Sequence, residues 1–258
     1  MAKNDVSFPP PTFDPRTLIH DFGSQRNWQM SAAEVLALQG ILDRIKPELS
    51  LEIGTFAGGS LQAISRFSKS VITLDIDPTV AGKLASQFPN VRFVTGDSKR
   101  LIPDLIPQID AGPDRLGFVL IDGDHTSDGV RADINNLLAI VPKRMVVFLM
   151  HDSFNPDCRR GMRGANWDAC PYVHYVELDF ITGGFCAEAF DTAQAGSMWA
   201  GLACAVLLPE KRTFPLKISE SQGHLQRLLF PLSIHSRGHS RLRRWCGKLR
   251  RVVTNSGG

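Results

Sequence analysis

The sequence predicts an α/β fold built on a mostly parallel sheet with helices on both faces. Three observations predict it. Between Ser50 and Met150, short, nearly continuous apolar and β-branched runs alternate with segments of helical period. The first of these runs enters a glycine-rich turn, LEIGTFAGGS (Leu51 to Ser60), and then a helix. Acids stand at or just after the strand ends, at Glu52, Asp75, Asp97, Asp122 and Asp152, where open sheets of this kind bind ligands.

The elements follow in order. Ser31 and Glu34 have the spacing of a capping box. Val35, Leu38, Ile41, Leu42 and Ile45 then repeat at helical spacing until Pro47 stops the run. Strand one is expected at Ser50–Ile53 with a helix over Gly59–Phe67. Strand two is Val71–Asp75 with a helix over Thr79–Gln87. Strand three is Val91–Val94 with a short helix near Leu101–Ile106. Strand four is Gly117–Ile121 with a helix over Gly129–Ile140, and strand five is Met145–Met150. The rhythm breaks at Asn155–Pro171, which is polar and rich in Gly, Cys and Arg and reads as a long loop with a short helix. Val173–Phe180 and Leu202–Leu208 are apolar enough for two more strands, expected as an antiparallel pair at the sheet edge. Beyond them, Leu225, Leu228, Leu229 and Leu232 make one amphipathic patch. The chain divides into a proline-rich leader (1–30), a core domain (31–210) and a C-terminal extension with a basic tail (211–258).

Bulk composition bounds the function. At 258 residues and 43% hydrophobic content, one domain with a full core and some elaboration is expected, and 21% charged residues argues against wholesale disorder. The net charge of +3 is unevenly spread. From Pro231 onward there are seven Lys or Arg and no acid, which leaves 22 basic against 26 acidic side chains in the rest. The tail pattern, with Leu242, Trp245, Leu249 and Val252 among the basic residues, suits a basic amphipathic helix interrupted by Gly247, or a solvated tail. An anionic partner is compatible with it. The cysteines, Cys158, Cys170, Cys186, Cys204 and Cys246, are odd in number and scattered with no CxxC pair. A zinc or iron–sulfur knuckle is therefore not expected, and reduced thiols in a cytoplasmic protein are. The N-terminus lacks the apolar core of a signal peptide, and no apolar run reaches membrane-spanning length.

The turn after strand one carries the cofactor signal. Glu52 cannot simply be a core residue, because an unpaired buried carboxylate is expensive. Gly54, Gly58 and Gly59 permit tight turning and close backbone approach, Thr55 and Phe56 lie within the turn, and Ser60 falls in the first helical turn. The pattern is not the dinucleotide fingerprint GxGxxG, since residue 56 is Phe, and this counts against a pyrophosphate cofactor. Asp75 is placed for ribose hydroxyls, with Asp77 as a second candidate. Asp97, with Ser98, is placed for an adenine amine. The alternative is that Asp75 and Asp97 merely start turns.

A second constellation is IDGDHTSDGVRADI (Ile121 to Ile134) with MHDS at the end of strand five. Adjacent strand ends would bring Asp122, Asp152 and either His151 or Asp124 together, a donor set for magnesium; His151 makes manganese or iron compatible. The alternative is a tight D-G-D turn and a His-Asp cap. On the substrate side, contacts are expected from the N-terminal leader and from the Asn155–Cys170 loop, where Arg159, Arg160, Arg163, Asn166, Trp167 and Asp168 are candidates, the arginines for a carboxylate or phosphate and Trp167 for stacking or packing. Phe180–Phe185 is a candidate second wall.

The motif E-I-G-T-x-x-G-x-S, the acidic end of strand two and the G-D-S after strand three resemble the class I S-adenosylmethionine-dependent methyltransferases, and most of all their small-molecule and sugar O-methyltransferase branch. The resemblance covers roughly residues 30–208. It implies a three-layer Rossmann-like methyltransferase fold with a mostly parallel seven-stranded sheet, the last strand antiparallel. It implies S-adenosylmethionine as cofactor, with Glu52 and Gly54 at the methionine part and sulfonium, Ser60 near the methionine carboxylate, Asp75 on the ribose, and Asp97 and Ser98 at the adenine. It implies Asp122 and Asp152 as ligands of a metal such as Mg2+, with Asp122 bordering the cofactor as well. The spacing of Asp122 and His125 matches a D-x-x-H motif whose histidine is the proposed general base, and the unshifted pKa of His125 lies near neutrality. His151, which stands where relatives carry Asp or Glu, is a further metal ligand or base. The expected activity is methyl transfer to a hydroxyl of a small molecule or sugar. A nucleic-acid methyltransferase using the basic tail and a non-catalytic adenosyl-binding module are the alternatives, and a homo-oligomer is compatible with the chain.

Overall fold

A computed structural model describes residues 28–186 and 196–236. Most of the leader, the segment 187–195 and the basic tail with Cys246 and Gly247 lie outside the described residues. The elements are α1 (Ala32–Ile45), β1 (Leu49–Ile53), α2 (Gly59–Phe67), β2 (Ser70–Asp75), α3 (Thr79–Leu84), β3 (Val91–Thr95), α4 (Ser98–Ala111), β4 (Leu116–Ile121), α5 (Ser127–Leu137) and β5 (Val146–His151). They continue with α6 (Pro156–Arg163), β6 (Val173–Ile181), β7 (Gly184–Cys186), β8 (Ser197–Trp199), β9 (Leu202–Leu207), β10 (Ile218–Ser219) and α7 (Gly223–Leu229).

One sheet runs in the order β10-β6-β9-β5-β4-β1-β2-β3, and β7 with β8 forms a separate hairpin. All pairings in the large sheet are parallel except those of β9, which is antiparallel to both β5 and β6. The α/β class and an antiparallel strand late in the chain, β9, agree with expectation. The sheet has eight strands rather than seven, because the two-residue β10 adds to β6. The expected edge pair is also displaced: β9 inserts between β5 and β6, so that its backbone groups are satisfied on both sides.

The layers follow from the alternation of side chains along the strands. Leu51, Ile53, Val119 and Ile121 pack with Ile102, Leu105 and Ile109 of α4, Ile134 of α5 and Met162 of α6. Phe118 and Leu120 face the other way, onto Leu38 and Leu42 of α1, Leu61 and Ile64 of α2, and Val80 of α3. The strand order reverses between β1 and β4, and this switch point opens a crevice at their carboxyl ends.

One helix exceeds expectation. α4 runs through Pro103 and Pro107, both on its solvent face, while Ile102, Leu105, Ile106 and Ile109 are buried opposite. The carbonyl of Lys99, which loses its helical donor at Pro103, accepts instead from Asn136 Nδ2 at 3.1 Å. The polar stretch after β5 begins with α6, capped by the Asn155 side chain and with Pro156 in its first turn.

Burial corrects the reading of that stretch as a substrate loop. Trp167 is 1% exposed, and its indole donates to Met162 O at 2.6 Å, so it is a core residue. Arg159 is buried and makes a bidentate pair with Asp179 at 2.7 and 2.9 Å, with a third bond to Glu220 at 3.1 Å. Arg163 pairs with Glu220 and Arg160 with Asp157. Arg159 and Arg163 staple α6 to β6 and to the segment before α7, while the Arg160 pair lies within α6. Leu225, Leu228 and Leu232 are exposed and form no core patch. No helix among the described residues is long and apolar enough to cross a membrane.

Arg159→Ala would leave Asp179 buried without its counter-charge and should cost about 3–5 kcal/mol, read as a lowered urea midpoint. Arg163→Ala, which breaks a more exposed pair, should cost under about 1 kcal/mol. Equal losses would contradict the assignment of Arg159 as the buried staple.

Candidate active site

The turn after β1 is shaped by backbone approach. Gly54 has φ +90°, and a Cβ there would lie 2.1 Å from the carbonyl oxygen of Asp122, so only glycine fits. Gly54 N donates to Leu74 O and Asp122 N to Ile53 O, both at 2.9 Å, which binds the ends of β1, β2 and β4 together. The Asp75 carboxylate then anchors the turn: its Oδ2 accepts from Thr55 N at 3.0 Å and Phe56 N at 2.8 Å, and its Oδ1 from Asp77 N at 2.8 Å. Phe56 sits at φ 47°, which turns its ring outward, 71% exposed. Gly58, at φ +78°, caps α2.

Glu52 is fully buried beneath this turn and is not part of the cavity wall. Its Oε1 accepts from Ser60 Oγ at 2.5 Å and its Oε2 from Thr73 Oγ1 at 2.6 Å, and Thr55 Oγ1 lies 2.5 Å from Thr73 Oγ1. The acid thus supports the turn through Ser60. Burial pushes its pKa up to about 7, against the two hydroxyl bonds that lower it.

A cavity of about 770 Å³ opens above the switch point, a size ordinary for small-molecule sites. Its wall brings together Gly54, Thr55, Phe56, Ser60, Asp75, Asp97, Ser98, Asp122, His125, His151 and Asp152. Asp97 also caps α4, accepting from Lys99 N at 3.0 Å. The Ser98 hydroxyl donates to the buried Asp133 at 2.7 Å, and burial raises the Asp133 pKa to about 6.

At one end of the cavity, acids and imidazoles form a cluster. His151 Nδ1 lies 3.0 Å from Asp122 Oδ1 and 3.6 Å from Asp152 Oδ1. His125 Nε2 lies 3.5 Å from Asp122 Oδ1 and 3.2 Å from Asp152 Oδ2. Asp152, at φ 57°, is anchored by Ala200 N, which donates to its Oδ1 at 2.8 Å. Asp124 is drawn off instead to Lys99 at 2.9 Å and takes no part. Hydrogen bonds to Asp122 and then Asp152 push the His125 pKa up to about 10. This overturns the expectation of an unshifted histidine: at neutral pH His125 is an imidazolium. His151 is also raised well above its ordinary value, since its burial is outweighed by Asp122, Glu34 and Asp152 together. Asp122, between two positive rings, is held below the usual carboxylate range despite its burial.

Two contributors escaped sequence reasoning. Glu34 of α1, recognised only as a cap, is wholly buried with Oε1 3.1 Å from His151 Nε2. Its signal was its place four residues before Leu38 and eight before Leu42, on the apolar face of α1. Trp199, at the end of β8, lines the cavity and meets the His125 ring edge-on at 5.7 Å between centroids. Nothing in its local pattern marked it. Gln29 and Met30, at the end of the leader, complete this side; no part of Phe180–Phe185 joins the wall. Asp122, His151 and Asp152 each offer an atom within 4.8 Å of the others, so as a donor set they can hold a cation.

Comparison with known proteins agrees with the fold. A family model described as a methyltransferase domain matches residues 51–153, which run from β1 to the end of β5. No curated protein matches the chain. Among solved structures, the cofactor-bound Rv0187 protein from MTB is similar at 20% identity and a TM-score of 0.50, covering 77% of this chain and 92% of that one. An O-methyltransferase from Bacillus cereus in complex with SAH is similar at 16% identity and a TM-score of 0.47, covering 75% and 88%. The O-methyltransferase TomG from Streptomyces achromogenes, in complex with SAM, is similar at 17% identity and 0.47, covering 70% and 82%.

Because the Glu52 pKa is raised on folding, its stabilising contribution is complete below its unfolded pKa, near 4.5, and is lost as pH rises through about 7. Glu52→Gln should remove that loss and gain of the order of 3 kcal/mol on the wild type between pH 5 and pH 8, read from urea midpoints. Parallel pH curves for the two proteins would refute the shift.

Proposed function

We propose that this chain is a class I S-adenosylmethionine-dependent methyltransferase and that it transfers the methyl group to a hydroxyl oxygen of a small acceptor. The observation that carries the reading is the joining of two subsites in one cavity. The glycine turn and the acid–imidazole cluster meet across the Gly54–Asp122 backbone contact. In this reading Asp75 receives the ribose hydroxyls, Asp97 and Ser98 border the adenine, and the Gly54–Ser60 turn holds the methionine end. The methyl-bearing sulfur then points to Asp122. The acceptor occupies the space bounded by Gln29, Met30 and Trp199, with its hydroxyl between Asp122 and His125.

The reaction breaks the sulfur–methyl bond and forms an oxygen–methyl bond. The sulfonium leaves as a neutral thioether, and the hydroxyl proton passes to His125 Nε2. The sulfonium is a good leaving group, so much of the rate comes from holding the oxygen in line with the methyl carbon. The acids Glu34, Asp122 and Asp152 outnumber the two imidazoles, which favours a cationic cofactor here over a phosphate. His125 accepts a proton only in its neutral form, whose fraction grows about tenfold per pH unit below its raised pKa. The Trp199 edge and the Asp152 carboxyl hold the ring while it does so. The same excess of acids suits a divalent cation held by Asp122 and Asp152, and by His151 once its ring has given up a proton. Such an ion, when bound, lowers the pKa of the acceptor hydroxyl.

Calorimetry on the full chain with S-adenosylhomocysteine and NAD tests the cofactor. S-adenosylhomocysteine should bind and NAD should not. Asp75→Ala, which loses both the turn anchor and the ribose contact, should weaken binding by about 10–100-fold. Binding of NAD alone would overturn the reading. With an acceptor found by screening catechols and sugars, kcat should rise between pH 7 and pH 10, and His125→Ala should flatten that rise. A profile unchanged by the substitution would exclude His125 as the base, and turnover unaffected by chelator would exclude the cation.

A further inference from the structure

We infer that Glu34 is a positioning residue for the methyl-transfer site, fixing the His151 imidazole against Asp122 and tying the cavity wall at Gln29–Met30 to that ring. The inference rests on the methyl-transfer reading for its consequence, but its geometry is independent of it.

Glu34 is the third residue of α1. Its Oε2 accepts from Ser31 N at 2.6 Å, which is half of a capping box, and the Ser31 hydroxyl in turn accepts from Glu34 N. Capping needs only that one oxygen, and a capping acid is ordinarily solvated at the first turn. Here the whole side chain is buried, at the cost of stripping water from a carboxylate. The second oxygen explains why: Oε1 faces His151 Nε2 at 3.1 Å. The pair stands at ion-pair distance but off the line of a hydrogen bond, and among the described residues neither atom has a hydrogen-bond partner elsewhere. His151 is therefore braced at both ring nitrogens, by Asp122 on Nδ1 and Glu34 on Nε2. Val35, Leu38 and Leu42 seat α1 in the core, so the brace comes from a rigid element. The same carboxylate holds the backbone of Ser31, next to Met30 and Gln29 on the cavity wall. Loss of the charge frees the ring to turn about its side-chain torsion, and Asp122 loses the partner that sets its orientation.

Glu34→Gln separates this role from capping, because glutamine at the same position completes a capping box equally well. If Glu34 only caps, the variant behaves as the wild type throughout. If it positions, the variant keeps its melting temperature within a few degrees while the 15N signals of the His151 ring, read in full-length histidine-labelled protein at pH 7, shift. In addition, kcat should fall about tenfold with the KM for S-adenosylmethionine unchanged. His151 signals identical in the two proteins would overturn the inference, and so would shifted signals with an unchanged kcat. The ring signals need no acceptor. A wild-type chain that fails to bind S-adenosylhomocysteine would remove the methyl-transfer reading alone and leave the brace open to this measurement.

Discussion

The site depends on one close approach: the backbone of Gly54 against the carbonyl of Asp122. A side chain at Gly54 would occupy the position of that carbonyl. The contact is possible because β1 and β4 are neighbours at the point where the strand order reverses. It brings the glycine turn and the acid–imidazole cluster, far apart in sequence, to one crevice. Asp75 completes the arrangement by taking up backbone N–H groups of the turn, so the acid expected on a ribose is also what shapes the loop beside it.

Charge is handled differently at the two ends of the crevice. Beneath the turn, Glu52 has only hydroxyl partners, and burial drives it towards the neutral acid. At the reaction end, Asp122 has imidazole partners and stays ionised, while the rings become cations. Two acids at neighbouring strand ends thus have their pKa moved in opposite directions, Glu52 up by burial with only hydroxyl partners and Asp122 down by the imidazoles beside it. The excess of acids over imidazoles in the cluster is what gives the proposed sulfonium, or a divalent cation, a favourable place.

Much of the fold was legible because its signals are local. The apolar runs of β1 to β5, the capping box of α1 and the glycine turn each lie within a few residues. The limits of α4 were not legible, because the cost of Pro103 is offset by Asn136, a residue of another helix. The Asn155–Cys170 stretch misled for a related reason. Arginines and a tryptophan in a polar loop look available to a ligand, but Arg159 is consumed by Asp179 on β6 and Trp167 by the core. Trp199 and Glu34 were missed in the opposite sense: nothing local marks Trp199 for the cavity, and the place of Glu34 on the apolar face of α1 marks it as buried without saying what it meets.

What the sequence determined by itself was the class of fold, the cofactor turn and the candidate acids at the strand ends. These follow from hydrophobic period, glycine placement and the expense of unpaired carboxylates, all readable over short spans. What only the tertiary structure decided was the state and the neighbours of those groups. His125 is an imidazolium because Asp122 and Asp152 converge on it from two strands, and His151 is braced because α1 delivers Glu34 to its far nitrogen. Protonation depends on distance and burial in space, and residues at positions 34, 122, 151 and 199 acquire that distance only when the chain has folded.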